Sequence, residues 1–378
     1  MLITAIAAAT ALPKLVQQPT VRLLTEGFGP SGSILVARPK VAWKVWPGGS
    51  AKITAGRISI NSKSVSCKYD SDRRELLAEG VSTLSPGTYN VHASVTIDGW
   101  ANFEEKWQFV IGTDSVDLPT YTRDEKSAIN ELNGIRAKHQ LPPMTIDPYL
   151  TMSSRSHTDY LALHDVIAHE ESPDKLGFTG VMPWDRGKRH GHVGGIWEVV
   201  SGGTETAEAA IYNLWNAPYH RITLMQTGRS LVGVGWKKGH FTMNGTPSWD
   251  RGVYMAPYAG QENVPVLWAN QEVPNPTRNY PDARFLLGYP IVVAGSELPG
   301  GKMDFVSASL VDSNGNAVDT YLLHRQNDDN LTNAVIVIPK APLKFNEMYT
   351  ADVRVIVQGD VITQRKWTFT TQADNKSK

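Results

Sequence analysis

The strongest constraint on the fold of this chain is an internal repeat. Residues 89–109 (YNVHASVTIDGWANFEEKWQF) align without a gap with residues 349–369 (YTADVRVIVQGDVITQRKWTF), and both copies end on a Lys-Trp-x-Phe segment. Apolar and polar residues alternate along each copy, which is typical of a β-strand with one buried face. In the first copy an Asp98-Gly99 turn separates two such strands and predicts a β-hairpin. The repeat therefore predicts two related β modules that are far apart along the chain.

Further short strands are predicted upstream of each hairpin. GSILVARPKVAWKVW and AKITAGRISI precede the first copy, and GYPIVVAG, FVSASLVDSNGNAV and AVIVIP precede the second. Short strands at regular spacing, with turn signals between them, favour a β-sandwich, and the two modules are similar to bacterial immunoglobulin-like (Ig-like) domains. We assign the sandwiches to residues 20–115 and 257–378, with Trp107 and Trp367 in their cores.

The segment between the two copies has a different pattern. In TRDEKSAINELNGIRAKHQ the apolar residues have helical spacing, and Thr122 followed by Glu125 forms a capping-box pattern. Two more helices are predicted at DPYLTMSSRSHTDYLALH and TAEAAIYNLWN, and strands at SLVGVGWKKG and GVYMAPYA. We therefore predict an α+β chain of several domains, in which a mixed α/β module at residues 116–256 lies between the two all-β sandwiches.

Charge, cysteine content and the N-terminal residues limit the class of protein. Lys+Arg and Asp+Glu both number 37, so the formal net charge is zero, which argues against a nucleic-acid partner. The single cysteine, Cys67, excludes an intrachain disulfide and a four-cysteine zinc site. Residues 1–19 contain a short apolar, Ala-rich run that resembles part of a secretory signal, with a disordered tail or an N-terminal strand as the alternative. We predict a secreted or cell-wall-associated protein without a transmembrane segment.

Five blocks of the middle module occur in an order that resembles the CAP superfamily, named for cysteine-rich secretory proteins, antigen 5 and pathogenesis-related proteins. The resemblance is to the cysteine-free secreted bacterial branch and covers residues 122–258. It implies an α-β-α sandwich with a surface cleft. The blocks are LNGIRAKHQLPPMTIDPYL, SSRSHTDYLALHDVIAH, SPDKLGFTGVMPWDR, GIWEVVSGG and TAEAAIYNLWNAPYHRITLM followed by SLVGVGW.

The resemblance also implies which residues line that cleft. His169 in IAHEESP, Glu198 in IWEVV and His220 in APYHR match the histidines and the acid of the family. Many animal and plant members carry a further Glu on the helix before the second histidine, but this chain has AIYNLWN there and no acid. We expect Pro218 to end that helix, so that His220 projects from a fixed corner that Arg221 holds by binding carbonyl or carboxylate groups.

Two imidazoles and one carboxylate are suitable ligands for Zn²⁺, so His169 and His220 are candidate metal ligands. The alternative is that Glu198 hydrogen-bonds both rings and only shapes the cleft. His190 and His192 in RHGHVGG form a second candidate pair, although a Gly-rich loop favours solvent exposure for both. Glu170 and Glu171, which follow His169, are expected to face water or to add a ligand.

Three functions are compatible with these residues. The first is a binding protein whose cleft takes a small apolar molecule, a peptide or a wall component. The second is a metal-dependent hydrolase with His169 and His220 as ligands and Glu198 as the base, although the chain has neither a G-x-S-x-G nor an H-E-x-x-H motif. The third is a structural adhesin. We favour binding over catalysis, with an extracellular partner that the sequence does not identify.

Overall fold

The structure is a computed structural model that describes residues 2–7, 14–17, 21–248, 250–296, 301–357 and 362–374. The helices are α1 (Arg123–Lys138), α2 (Pro148–His164), α3 (Pro183–Arg189), α4 (Ala207–Asn216) and α5 (Pro218–Leu224). The strands before α1 are β1 (Leu2–Ala7), β2 (Lys14–Gln17), β3 (Arg22–Gly29), β4 (Gly32–Val36), β5 (Ala42–Pro47), β6 (Ile53–Ile60), β7 (Lys63–Val65), β8 (Cys67–Asp70), β9 (Glu75–Ala78), β10 (Gly87–Ile97) and β11 (Ala101–Val116). None of the helices in the described residues has the length and hydrophobicity that a bilayer crossing requires.

The later strands belong to the middle and C-terminal parts of the molecule. Those of the middle part are β12 (Thr145–Ile146), β13 (Trp197–Ser201), β14 (Leu231–Lys237) and β15 (His240–Gly245). The rest are β16 (Gly252–Ala256), β17 (Gln261–Val264), β18 (Trp268–Ala269), β19 (Glu272–Val273), β20 (Leu286–Leu287), β21 (Ile291–Ser296), β22 (Asp304–Val311), β23 (Thr320–Leu323), β24 (Ala334–Pro339), β25 (Met348–Ile356) and β26 (Ile362–Thr371).

The internal repeat folds as two equivalent hairpins. β10 pairs with β11 so that Tyr89 lies opposite Phe109, and β25 pairs with β26 so that Tyr349 lies opposite Phe369. The two aromatic pairs stack, with ring centroids 5.3 and 5.8 Å apart. The predicted core positions Trp107 and Trp367 are both buried. The alternating pattern therefore predicted not only the strands but also which residues meet across them.

Each hairpin belongs to one of two sheets that share a single core. In the N-terminal module the sheet β4-β11-β10-β6-β7 packs against the sheet β2-β3-β5-β9-β8, and in the C-terminal module β17-β26-β25-β22 packs against β16-β21-β24-β23. Both modules are thus two-layer β-sandwiches, and their kinship with Ig-like domains stays a prediction. β16, which we assigned to the middle module, pairs with β21 of the C-terminal sheet.

The middle module has helices on both faces of one sheet, whose strand order is β12-β14-β15-β13-β1-β19. Helix α2 packs directly on β14 and β15, while α1, α4 and α5 lie over the other face. The close contact of α2 depends on two glycines of the VGVGW segment. A Cβ at Gly233 would lie 2.0 Å from the Leu150 carbonyl carbon, and one at Gly235 would lie 2.5 Å from the Thr158 hydroxyl. These glycines therefore bring the His157 face of α2 onto the sheet.

The C-terminal sandwich packs tightly against the middle module. One continuous hydrophobic cluster contains helix residues such as Ile211 and Leu214 together with Val292 and Ile336 of the C-terminal sheet. Every residue of β24 (AVIVIP) is buried, because this strand faces the core of its own sandwich on one side and the helices on the other. The two modules therefore share a core and are not joined by a free linker.

Candidate functional site

His169 and Glu198 meet in the middle module. Glu198 lies on β13 and is fully buried, and its Oε1 accepts a hydrogen bond from Nδ1 of His169 at 2.9 Å. His169 lies in the loop that follows α2. The helix has Asp147 as its N-cap residue, and it ends at Asp165, whose backbone is in the left-handed conformation. The length of α2 and the position of β13 thus bring these two side chains together from 29 residues apart.

Glu198 is held by other donors as well. The Arg186 guanidinium of α3 donates to both of its oxygens, at 2.9 and 2.7 Å. Asn244, which pairs with Glu198 across β13 and β15, donates its amide to Oε2 at 2.7 Å. Burial alone would raise the pKa of Glu198, but Arg186 and the rings of His157 and His169 outweigh it and keep the pKa well below its usual range. Glu198 is therefore a fixed carboxylate.

A second buried carboxylate completes this network. Glu171 accepts from Nδ1 of His157 at 2.9 Å and from the backbone of Thr179 at 2.6 Å, and it lies 3.7 Å from Nε of Arg186. Our expectation that the acidic pair faces water is wrong for Glu171 and right for Glu170, which is exposed. Glu171 is buried because a histidine, a guanidinium and backbone amides surround it.

His220 has a different carboxylate partner. Its Nδ1 lies 2.6 Å from Glu272 Oε1, and its backbone N–H donates to the same oxygen at 2.9 Å, while the backbone N–H of Tyr219 donates to Oε2. Both side chains are completely buried. Pro218 does not leave an irregular corner: it is the first residue of α5, where its missing N–H costs nothing. Glu272 therefore caps a new helix, and His220 lies in its first turn.

Arg221 holds this helix as expected. It donates to the carbonyl oxygens of Asn216 and Pro290, and its guanidinium lies over the ring of Tyr289, 4.6 Å from the centroid. Two of these partners belong to the C-terminal part of the chain. The APYHR segment is thus buried between two modules and does not border an open cleft.

The two His–Glu pairs lie on opposite faces of the central sheet. Leu2 of β1 pairs with Ser201 on one side and with Glu272 on the other, so Ser201 and Glu272 point to the same face. Glu198 precedes Ser201 by three residues in β13 and therefore points to the other face. The structure brings His169 to Glu198 but pairs His220 with Glu272 across the sheet from them.

This arrangement does not fit a zinc site built from His169 and His220. Within the described ranges, no three or more His, Cys, Asp and Glu side chains form a group that could hold one metal ion. The Arg186 guanidinium already supplies positive charge to Glu198. Zinc binding through His169 and His220 stays a prediction that this donor set does not support.

The other candidate pair, His190 and His192, is buried, and our expectation of solvent exposure is wrong. His190 ends α3, and its Nδ1 lies 2.8 Å from the carbonyl oxygen of Arg186. Burial lowers the pKa of His190 to about 4, although this hydrogen bond acts in the opposite direction. Burial, helped by Lys40 and Lys44 of the N-terminal sandwich, also lowers the pKa of His192. The loop is therefore an interface between two modules.

We expect His190 to make the protein less stable in mild acid. Its pKa of about 4 in the folded chain lies below the ordinary value of about 6.5, so the unfolded chain binds the proton first as the pH falls. Stability is thus full above pH 6.5 and is lost between about pH 6.5 and 4. Urea unfolding of wild type and His190→Gln at pH 7 and 4.5 measures this effect. The drop should be smaller in the variant than in wild type.

One family model matches most of the middle module. Residues 129–244, about a third of the chain, match the family model described as CAP, the cysteine-rich secretory protein family. The chain contains a CAP domain. His169, Glu198 and His220 all lie within the matched CAP segment, whereas Glu272 lies outside it. No curated protein matches the chain.

Three solved structures are similar to parts of this chain. An extracellular protein with an SCP domain from Bacillus anthracis str. Ames is 13% identical over 63% of this chain and 68% of that one, with a TM-score of 0.28. CopC from Methylosinus trichosporium OB3b is 20% identical over 29% and 99%, with a TM-score of 0.19. SGBP-B of Bacteroides ovatus, in complex with a mixed-linkage heptasaccharide, is 12% identical over 98% and 70%, with a TM-score of 0.18. At such TM-scores these similarities say nothing about the ligand of this chain.

Several members of the CAP domain's buried network were not predicted from the sequence. Glu272 lies outside the five blocks, and no local signal joins it to His220. Arg186 and Asn244 were not singled out, although a buried acid on a strand requires a donor for each oxygen. That requirement was the available signal, and both Arg186 and Asn244 fall within the matched segment.

Proposed function

We propose that the CAP domain is a ligand-binding module of an extracellular protein and that it does not catalyse hydrolysis. The supporting observation is the state of Glu198. Both of its oxygens accept hydrogen bonds, from Arg186, Asn244 and His169, and its pKa is lowered. A general base works best with a pKa near the operating pH and with a lone pair free for the proton. Glu198 has neither property.

The same network suits a rigid binding site. A buried carboxylate that is held by three side chains fixes the strand that carries it, so the site needs little ordering when a ligand arrives. The two sandwiches hold the CAP domain from both sides, through the His190 loop and through α5. The match to the secretory family supports the extracellular location. The ligand is an apolar molecule, a peptide or a wall component.

One observation favours the hydrolase alternative. Nε2 of His220 is buried and has no hydrogen-bond partner in the described residues, while Nδ1 is held by Glu272. A histidine that is oriented by a carboxylate in this way resembles a metal ligand. Because the described residues offer no group of further ligands, we rank binding first.

Metal analysis and a peptide-cleavage assay separate the two functions. We expect the purified chain to contain substoichiometric zinc and to leave a mixed peptide library intact, with or without added Zn²⁺. A thermal-shift screen with an apolar peptide, a fatty acid and peptidoglycan fragments should raise the melting temperature with at least one class, which a purely structural adhesin would not show. Zinc-dependent cleavage that disappears in His220→Ala would overturn the binding function.

A further inference from the structure

The edge of β13 is a place where the central sheet accepts a strand. One side of β13 pairs with β15 along its whole length, from Trp197 opposite Gly245 to Ser201 opposite Phe241. The other side pairs with β1, antiparallel, and β19 then pairs with β1 in parallel. β13 and β19 are therefore separated by one strand, or roughly 10 Å. We call this space the strand slot.

The slot is occupied by residues that are remote from the CAP domain along the chain. Residues 2–7 (LITAIA) enter it, and β2, which follows after six residues, already pairs with β3 in the N-terminal sandwich. The register of β1 on β13 shifts between Ile3 and Ile6. The occupant thus reaches across from a neighbouring module and is not an element of the matched CAP segment, residues 129–244.

The slot needs an occupant because the backbone N–H and C=O groups at the edge of β13 need hydrogen-bond partners. In the folded chain every residue of β13 is buried, and a buried strand edge with unpaired N–H and C=O groups is strongly disfavoured. Any extended peptide supplies these hydrogen bonds through its own backbone. The occupant's sequence adds a preference: it is uncharged and rich in β-branched and small residues, which favour strands.

The two His–Glu pairs hold the walls of this slot. Glu198 belongs to β13 and Glu272 to β19, and each carboxylate is fixed by buried donors on a different face of the sheet. Helix α5, which carries His220, also packs against β1. His169, Arg186 and His220 therefore act as positioning residues, which keep the two walls one strand apart.

We propose that the strand slot is a peptide-binding site for an extended, uncharged, β-branched segment of another protein, and that residues 2–7 are a built-in occupant that such a segment displaces. This inference rests on the proposed binding function and narrows its ligand to a peptide. A tethered occupant acts at an effective concentration of about 1 mM. Suppose that the slot binds the occupant and a free peptide of the same sequence with one intrinsic Kd of about 10 μM. The effective concentration of the occupant is then about 100 times this Kd, so the free peptide would bind the wild-type chain about 100-fold more weakly than a chain with an empty slot.

The test empties the slot without shortening the chain. Successive N–H groups of a strand point to opposite neighbours, and Leu2 and Ile3 pair with both walls. The double substitution Leu2→Pro and Ile3→Pro therefore removes one donor toward each wall. The probe is acetyl-LITAIA with a Gly-Lys-Lys tail and a fluorophore, followed by fluorescence anisotropy. We expect the double variant to bind it at least tenfold more tightly than wild type does. Circular dichroism checks that the variant is folded.

The matched controls keep the occupant or change the probe. Ala5→Val retains its N–H and raises the strand preference, so it should bind the probe no better than wild type. A probe with Lys and Glu in place of its two isoleucines should bind neither chain. Equal affinity of wild type and the proline variant, or no binding to either, would overturn the inference. So would a concentration-dependent wild-type dimer in light scattering, because the occupant would then come from a second copy.

Failure of the slot and failure of the binding function give different results. If the proline variant cleaves the probe in the presence of Zn²⁺, the binding function is wrong although the slot exists. If the variant does not bind the probe but a fatty acid or a peptidoglycan fragment stabilises the wild-type chain, only the strand slot is wrong.

Discussion

Replacement of Arg186 with methionine should lower the free energy of unfolding by about 3–5 kcal/mol. The guanidinium donates to both oxygens of Glu198 and lies 3.7 Å from Glu171 Oε1, and all three side chains are fully buried. Methionine fills a similar length but supplies neither charge nor donor, so two buried carboxylates lose their principal counter-charge. Urea unfolding at pH 7, monitored by tryptophan fluorescence, measures the loss.

Three comparisons sharpen this prediction. Lys188→Met on the exposed side of the same helix should change stability by less than about 0.5 kcal/mol. The double variant Arg186→Met with Glu198→Gln should be more stable than Arg186→Met alone, because it leaves no unpaired charge at Glu198. The deficit of the single variant should shrink as the pH falls, since protonation of Glu198 removes the uncompensated charge. A cost below about 1 kcal/mol would show that Glu198 does not depend on Arg186.

The outer modules were predictable because their signals are local. Alternation along residues 89–109 and 349–369 fixed the strands, their hairpins and the buried face that contains Trp107 and Trp367. The helix starts were equally local: the Thr122 capping box forms as expected, with its hydroxyl accepting from the backbone of Glu125. Such features depend on residues a few positions apart, so one sequence is enough to find them.

The docking of the C-terminal sandwich also has a signal in the sequence of one strand. AVIVIP in β24 is apolar at every position, whereas the β5 strand of the N-terminal sandwich, AWKVWP, includes Lys44, which is only partly buried. A strand without alternation is buried on both faces. The apolar run of β24 therefore indicated a strand that is covered on both faces.

The site was predicted only in part, for a physical reason. The family blocks predicted His169, Glu198 and His220 in one cleft, and the structure brings His169 into contact with Glu198. The carboxylate that pairs with His220 belongs to Glu272, which lies 52 residues later and beyond the matched segment. Pairing of a buried histidine with a distant acid depends on how modules pack, which the spacing of residues in the chain does not record.

Replacement of Glu272 with alanine should cost about 3–5 kcal/mol, because it leaves the backbone N–H groups of Tyr219 and His220 and the His220 ring nitrogen buried without an acceptor. Glu272→Gln keeps one oxygen for these donors and should cost less. Urea unfolding measures both, with Glu262→Ala, an exposed acid on β17, as the near-neutral control. If Glu272→Ala proves as harmless as that control, Glu272 does not hold His220.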